Sequence, residues 1–200
     1  MKRWFVFLMV VAFFPAVAGT GTLEIGGKVT HSDVKMLDVS GEKVSLADVA
    51  KENGLLVMFS SNTCPFVQQW ESRFPEIKKW ADKNNVGMIV LNSNYKNRDG
   101  VDSYEEMQKR AREKNYNFYY VVDKESKIAN AFGGQTTPHV FLFDSRMELV
   151  YKGAIDDNYK SADAVKQAYL KDAISSIAKG ENVAIAETKP IGCSIKRKQD

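Results

Sequence analysis

The chain has 200 residues, enough for one ordinary domain with a real hydrophobic core. Lys and Arg outnumber Asp and Glu by only 28 to 25, and no basic stripe is interleaved with aromatics, which argues against a nucleic-acid partner. The one concentrated basic run, Lys196-Arg197-Lys198, reads as a solvated tail.

Residues 1–18 read as a signal peptide. Lys2 and Arg3 give a basic start, Trp4 to Phe14 an apolar middle too short to span a bilayer comfortably, and Ala16-Val17-Ala18 an Ala-x-Ala cleavage pattern. The mature protein is expected to start near Gly19, to be exported to the periplasm or another extracytoplasmic space (secretion included), and to keep no stable membrane insertion. An uncleaved anchor is the alternative. With Lys2 and Arg3 removed and no acid before Glu24, the net charge falls from +3 to +1 (3 − 2). The expected organisation is a domain over residues 19–185 and a tail over 186–200 that carries Cys193.

Apolar runs alternate with amphipathic stretches along the chain, the pattern of an α/β fold. Val34 to Leu46 alternates around Ser40-Gly41-Glu42 and predicts a β-hairpin. Leu55 to Ser60 (LLVMFS) is an unbroken apolar run of strand length, which predicts a central strand buried on both faces, with Met58 buried. Phe66 to Asp82 has Val67, Trp70, Phe74, Ile77 and Trp80 at helical spacing, with a kink predicted at Pro75. These aromatics read as core rather than as a cofactor site, and no cofactor is expected.

Gly87 to Asn92 predicts a second buried strand, Val101 to Lys114 a charged surface helix, and Tyr116 to Asp123 an extended segment. Ser126 to Phe132 predicts a short helix closed by Gly133-Gly134. His139 to Phe143 and Leu149 to Lys152 predict a second hairpin. Ser161 to Lys179 predicts a long amphipathic helix, with Ser161 as its N-cap and Gly180 just past its end.

Two cysteines, Cys64 and Cys193, stand in a chain expected to be exported, where disulfides persist. Spacing alone leaves a structural cross-link, two unrelated thiols and a redox pair all open. His139 reads as a core or surface residue, its side chain facing either the core or Cys64, and His31 has no partner in the sequence. No C-x-x-C or H-x-x-x-H spacing exists, so no metal site is expected.

The order of elements, with DVSGEKVSLADV (38–49), VMFSSNTCPF (57–66), TTPHVFLFD (136–144) and GCSIK (192–196), resembles the thioredoxin-like superfamily. More narrowly it resembles the redoxin branch that includes AhpC/TSA and peroxiredoxin-like proteins. The resemblance implies an α/β thioredoxin-like fold, a central mixed sheet flanked by helices with an N-terminal β-hairpin. It also implies that Cys64, followed by Pro65 at the start of a helix, is a redox-active thiol, because helix-terminal N–H groups and the dipole favour thiolate. Pro138 is then expected to be cis and to pack against Cys64, with Thr137 offering backbone groups to an extended substrate.

The departures from the family pattern bear on chemistry. Val67 stands where thioredoxin-like reductases have a second Cys, and Met58 where they often hold a buried acid. Peroxiredoxins place their reactive Cys at the position of Val67, a Thr at that of Cys64 and an Arg at that of Pro138. Without those donors a fast peroxidase is not expected. Cys193, with Gly192 permitting a tight turn before it, is the remaining thiol, and similar proteins with a lone Cys-Pro motif share the GCSIK-like ending. The expected function is an exported thiol-disulfide oxidoreductase acting on protein or small-molecule thiols and disulfides, with Cys64 and Cys193 catalytic and Pro65, Thr137 and Pro138 lining the substrate site. The alternatives are a weak peroxiredoxin-like peroxidase and a non-catalytic binding module.

Overall fold

The computed structural model describes residues 22–198; the stretch read as a signal peptide lies outside the described residues. In chain order the elements are β1 (Met36–Asp38), β2 (Lys43–Val44), α1 (Leu46–Val49), β3 (Leu55–Ser60), α2 (Pro65–Trp70), α3 (Phe74–Lys83), β4 (Gly87–Asn92) and α4 (Tyr104–Glu113). They continue as β5 (Tyr119–Val122), α5 (Lys127–Phe132), β6 (Thr136–Thr137), β7 (His139–Phe143), β8 (Leu149–Gly153), α6 (Tyr169–Ala178) and β9 (Cys193–Ser194). Seven strands form one mixed sheet in the order β2-β1-β5-β4-β3-β7-β8, and β6 and β9 form a separate two-stranded ribbon. The hairpin expected over Val34 to Leu46 is β1–β2, with Met36 opposite Val44.

Strand β3 explains why the sheet is covered on both sides. It pairs in parallel with β4 and antiparallel with β7, and all six of its residues are buried. Because side chains alternate along a strand, an unbroken apolar run needs a core on each face. Leu56 and Met58 pack with Val67, Trp70, Phe74 and Ile77 from α2 and α3, Met107 from α4, and Leu170 and Ile174 from α6. Leu55, Val57 and Phe59 pack on the other face with Leu46 and Val49 of α1 and Ile128 and Phe132 of α5.

Two helices differ from the sequence reading. The expected kink occurs one turn earlier than Pro75, as a 3-10 segment at Glu71–Arg73 between α2 and α3. Pro75 has no N–H for the Glu71 carbonyl, and Phe74 N–H donates to that carbonyl instead. The second difference is a correction: α6 spans only Tyr169–Ala178, and Ser161 is not its N-cap. Upstream side chains hold this stretch in turns, and Asp157 Oδ1 takes the Lys166 N–H at 3.0 Å, a donor that a helix from Ser161 would aim at the Ala162 carbonyl. Asp156 Oδ1 accepts Asn158 N–H at 2.8 Å, and Asn158 Oδ1 accepts the N–H groups of Lys160 and Ser161 at 3.1 Å. These local turns compete with helix. They also set the Tyr159 ring against Phe66 and Trp70, with centroid distances of 5.2 and 5.8 Å. Gly180 does close the helix, with φ +72.

Among the described residues no helix is long and apolar enough to cross a membrane.

Candidate active site

Strand β3 ends at Ser60, and three polar residues carry the chain to Cys64, the residue just before α2. Extended backbone at Cys64 (φ −67, ψ 122) and Pro65 at the first helical position start the helix abruptly. Cys64 is 5% exposed and belongs to the buried cluster that holds Leu56, Met58, Val67 and Trp70. Pro65, beside it, is exposed.

The loop is held by a buried polar cluster that the sequence analysis did not single out. Asp102, with no exposed surface, accepts the Asn62 backbone N–H at 2.8 Å and the side-chain amides of Asn92 at 2.7 Å, Asn94 at 3.0 Å and Asn97 at 3.2 Å. Asn62 also donates to the Val101 carbonyl and accepts from the Tyr120 hydroxyl, both at 2.8 Å. The carboxylate thus fixes the turn from which Cys64 projects. The polar runs SSN and NSN at the ends of β3 and β4 were the available signal. Asp102, alone in a surface-like stretch, gave none.

Across from Cys64 lies the turn before β7. The Thr137-Pro138 bond is cis, as expected, and the Thr137 carbonyl lies 3.0 Å from Cys64 Sγ. Thr137 and Pro138 are buried. The chain after α6 runs back along β8, where Thr188 N–H donates to the Lys152 carbonyl at 3.0 Å, and then reaches this turn. There β9 pairs antiparallel with β6, with Cys193 opposite Thr137 and Ser194 opposite Thr136. Cys193 Sγ comes to 2.8 Å from Cys64 Sγ, across 129 positions of sequence; both are free thiols. Gly192 serves close approach rather than a left-handed turn. A Cβ there would lie 2.3 Å from the Thr137 carbonyl oxygen, and its φ is not positive.

The two thiols are electrostatically unequal. Burial alone would push Cys64 up, but hydrogen bonds from the Cys193 thiol, from the Thr137 side chain and from the Val67 and Cys193 backbones outweigh it, and its pKa lies below the ordinary thiol value. Burial, then the hydrogen bond and charge of Cys64, push Cys193 up to about 11. The site therefore favours thiolate on Cys64 and a proton on Cys193.

His139 faces away from this pair. It shares the strand face of Phe141, whose ring centroid is 4.5 Å away, and its Nδ1 accepts the Gln135 N–H at 3.1 Å. Burial, with Lys152 nearby, lowers its pKa to about 3, so it is neutral and no base for Cys64. Among the described residues no group of three or more His, Cys, Asp or Glu side chains is placed to hold a metal ion.

Two solved structures match nearly the whole chain. A hypothetical protein of Sinorhizobium meliloti is 27% identical with a TM-score of 0.81, over 90% of this chain and 98% of its own. An uncharacterized conserved protein of Geobacillus kaustophilus is 28% identical with a TM-score of 0.82, over 94% and 100%. A peroxidoxin of Mycobacterium tuberculosis, at 11% identity and TM-score 0.60 over 79% and 97%, shares the fold. No curated protein matches the chain. The AhpC/TSA family model matches residues 25–152, a span that holds Cys64 and Pro138 and ends before Cys193. With its thioredoxin-like fold and its strand-to-helix cysteine beside a cis-proline, the chain is a redox protein of the oxidoreductase class and belongs to the AhpC/TSA family.

Proposed function

We propose that the protein is an exported thiol-disulfide oxidoreductase in which Cys64 is the nucleophile and Cys193 the resolving thiol. The observation that carries this reading is the 2.8 Å separation of the two sulfurs, with the lower pKa on Cys64. Cys64 thiolate attacks one sulfur of a substrate disulfide. That S–S bond breaks, the departing sulfur leaves with the electron pair and takes a proton from solvent, and a mixed disulfide forms. Once Cys64 carries no charge, part of what holds Cys193 protonated is gone, leaving burial as the main cause. Cys193, deprotonated to solvent, then attacks Cys64 Sγ, releases the second substrate thiolate and closes a Cys64–Cys193 disulfide. The substrate gains two electrons and the pair loses two, so an external dithiol must return the enzyme to its reduced state.

Export rests on the basic, apolar and Ala-x-Ala succession of residues 1–18. Pro65, Thr137 and Pro138 are proposed to frame the substrate.

The test is chemical. Cys193→Ser, offered a disulfide substrate, is expected to accumulate a mixed disulfide on Cys64, seen by intact mass and peptide mapping. Unchanged turnover without accumulation would remove Cys193 from the cycle. Reaction with hydrogen peroxide at a rate above that with disulfides would favour the peroxidase alternative.

A further inference from the structure

We propose that the tail strand β9 occupies the place of the substrate, and that the true partner is an extended, disulfide-bonded polypeptide segment with glycine immediately before its cysteine. The proposal rests on Cys64 being the nucleophile and concerns what that thiol accepts. Three observations on the tail carry it.

The first is pairing. Thr136 and Thr137 lie outside the seven-stranded sheet, and the tail is their strand partner. The antiparallel register sets a cysteine opposite Thr137 with its sulfur at Cys64, which is the geometry a substrate cysteine needs at this edge. The chain thus presents its own thiol as a bound strand would present a foreign one.

The second is access. With the tail seated, Cys64 is 5% exposed and Thr137 is 1% exposed. A protein disulfide has no approach to Cys64 Sγ while Ile191 to Ile195 are in place, so strand must be exchanged for strand. The tail's ladder covers only two residue positions, Thr136–Ser194 and Thr137–Cys193, and is extended by Ile195 N–H on the Gln135 carbonyl and by Lys196 on Lys96 and Asn94, so exchange breaks these bonds and the incoming strand must replace them.

The third is selectivity. A Cβ at position 192 would lie 2.3 Å from the Thr137 carbonyl oxygen, 2.6 Å from its carbon and 3.1 Å from Pro138 N. These are backbone atoms of a turn locked between β6 and β7, so the position before the cysteine admits glycine alone. Ile191 packs against one core and Ile195 is buried in the other, while Ser194 between Cys193 and Ile195 is exposed. The alternation describes a site for a strand of the form apolar-Gly-Cys-polar-apolar.

The test uses the full chain with Cys193→Ser, which cannot resolve, and compares it with the double variant Cys193→Ser/Gly192→Ala. The added methyl drives the tail off Thr137 and touches neither cysteine. Both are mixed with a disulfide-linked dimer of the peptide Ile-Gly-Cys-Ser-Ile, and mixed disulfide on Cys64 is timed by intact mass. The double variant is expected to capture the peptide at least tenfold faster, with faster amide exchange at Ile195. It is also expected to prefer that peptide at least tenfold over Ile-Ala-Cys-Ser-Ile. Cys193→Ser/Ile195→Ser, which loses the buried anchor of the tail instead, should behave likewise if the alanine variant folds poorly. Equal capture with and without the opening substitutions, or equal capture of the two peptides, overturns the proposal and leaves Cys64 as nucleophile. No capture by any variant overturns the nucleophile assignment itself.

Discussion

Asn94 accepts the backbone N–H of Lys196 through Oδ1 at 2.9 Å, and its Nδ2 donates to Asp102 at 3.0 Å. Asp102 in turn holds the Asn62 backbone, two residues before Cys64. One buried carboxylate therefore positions the loop before the first thiol directly and the tail of the second through Asn94. The relative placement of Cys64 and Cys193 depends on a residue that touches neither.

Replacing Asp102 with Ala should damage stability and chemistry together. It strands the Asn62 N–H and three asparagine amides without their acceptor, at a cost on the order of 3 kcal/mol or more. Urea denaturation reads the first effect. The second is the rate at which the oxidised pair forms under a mild oxidant, read as the loss of two hydrogens by intact mass. We expect this rate to fall at least tenfold under conditions where the variant is still folded. A destabilised variant that oxidises at the wild-type rate would show that the cluster supports the fold and does not align the thiols.

The inequality of the two thiols gives a second expectation. The Cys193 hydrogen bond is the largest of the effects that lower Cys64, after burial, which opposes it. Replacing Cys193 with Ala removes that bond, so the inflection of the Cys64 alkylation rate against pH should move upward. The inflection is the readout because opening the site also changes the absolute rate. For stability the sign is fixed. A folded-state pKa below the unfolded one contributes stability that is present above the unfolded value and is lost as pH falls through the folded one. Wild type should show this contribution and the Ala variant less of it.

Much of this site was legible because the deciding features are local. LLVMFS ending in polar residues before Cys64-Pro65, and Thr137-Pro138 before HVFLF, each state a strand, a turn and a reactive position in a few letters. The folding back of the tail was legible only as the need of one thiol for another. Asp102 was not legible, being ordinary in its own stretch, and Asn92 and Asn94 were signalled only as the polar run that ends β4. Their burial arises only when the ends of β3 and β4 meet the loop leading into α4. The shortened α6 was missed for a related reason: Val165, Ala168 and Ile174 keep helical spacing, and nothing in that spacing reveals that Asp157 takes the Lys166 N–H.

His139 predicts how stability responds to acid. It is buried and neutral, with a folded pKa near 3 against an ordinary value of 6.5, because burial and then Lys152 disfavour the proton. The unfolded chain binds that proton more readily, so the contribution is complete above pH 6.5 and is lost progressively as pH falls toward 3. One such group contributes a slope of at most about 1.4 kcal/mol per pH unit. His139→Asn keeps an acceptor for Gln135 N–H and loses the titration. It should be less stable than wild type at pH 7 through lost ring packing, yet show a shallower decline between pH 6 and pH 4 in denaturant unfolding. Parallel declines would place the acid sensitivity elsewhere.

The last expectation concerns the wall behind Cys64. Arg73 Nη1 lies 2.5 Å from Asp156 Oδ2, with the side chains 9% and 7% exposed, and Trp70 Nε1 donates to Asp156 Oδ1 at 3.2 Å. This pair ties the joint between α2 and α3 to the loop that lays Tyr159 over Phe66 and Trp70. Arg73 Nε, buried, has no hydrogen-bond partner among the described residues. The pair is thus incompletely satisfied, the condition under which a buried ion pair adds little net stability and yet is costly to break. Arg73→Met alone leaves a buried carboxylate without its cation, and Asp156→Asn alone leaves a buried guanidinium without its anion. Each should cost about 3–5 kcal/mol. In Arg73→Met/Asp156→Asn both charges are gone, while asparagine still accepts from Trp70 and from Asn158 N–H. The double variant should therefore be more stable than either single one, and closer to wild type than the sum of their losses. Urea denaturation of the four proteins measures the coupling directly. Additive losses would mean that the two side chains act separately and that the ion pair does not hold this loop.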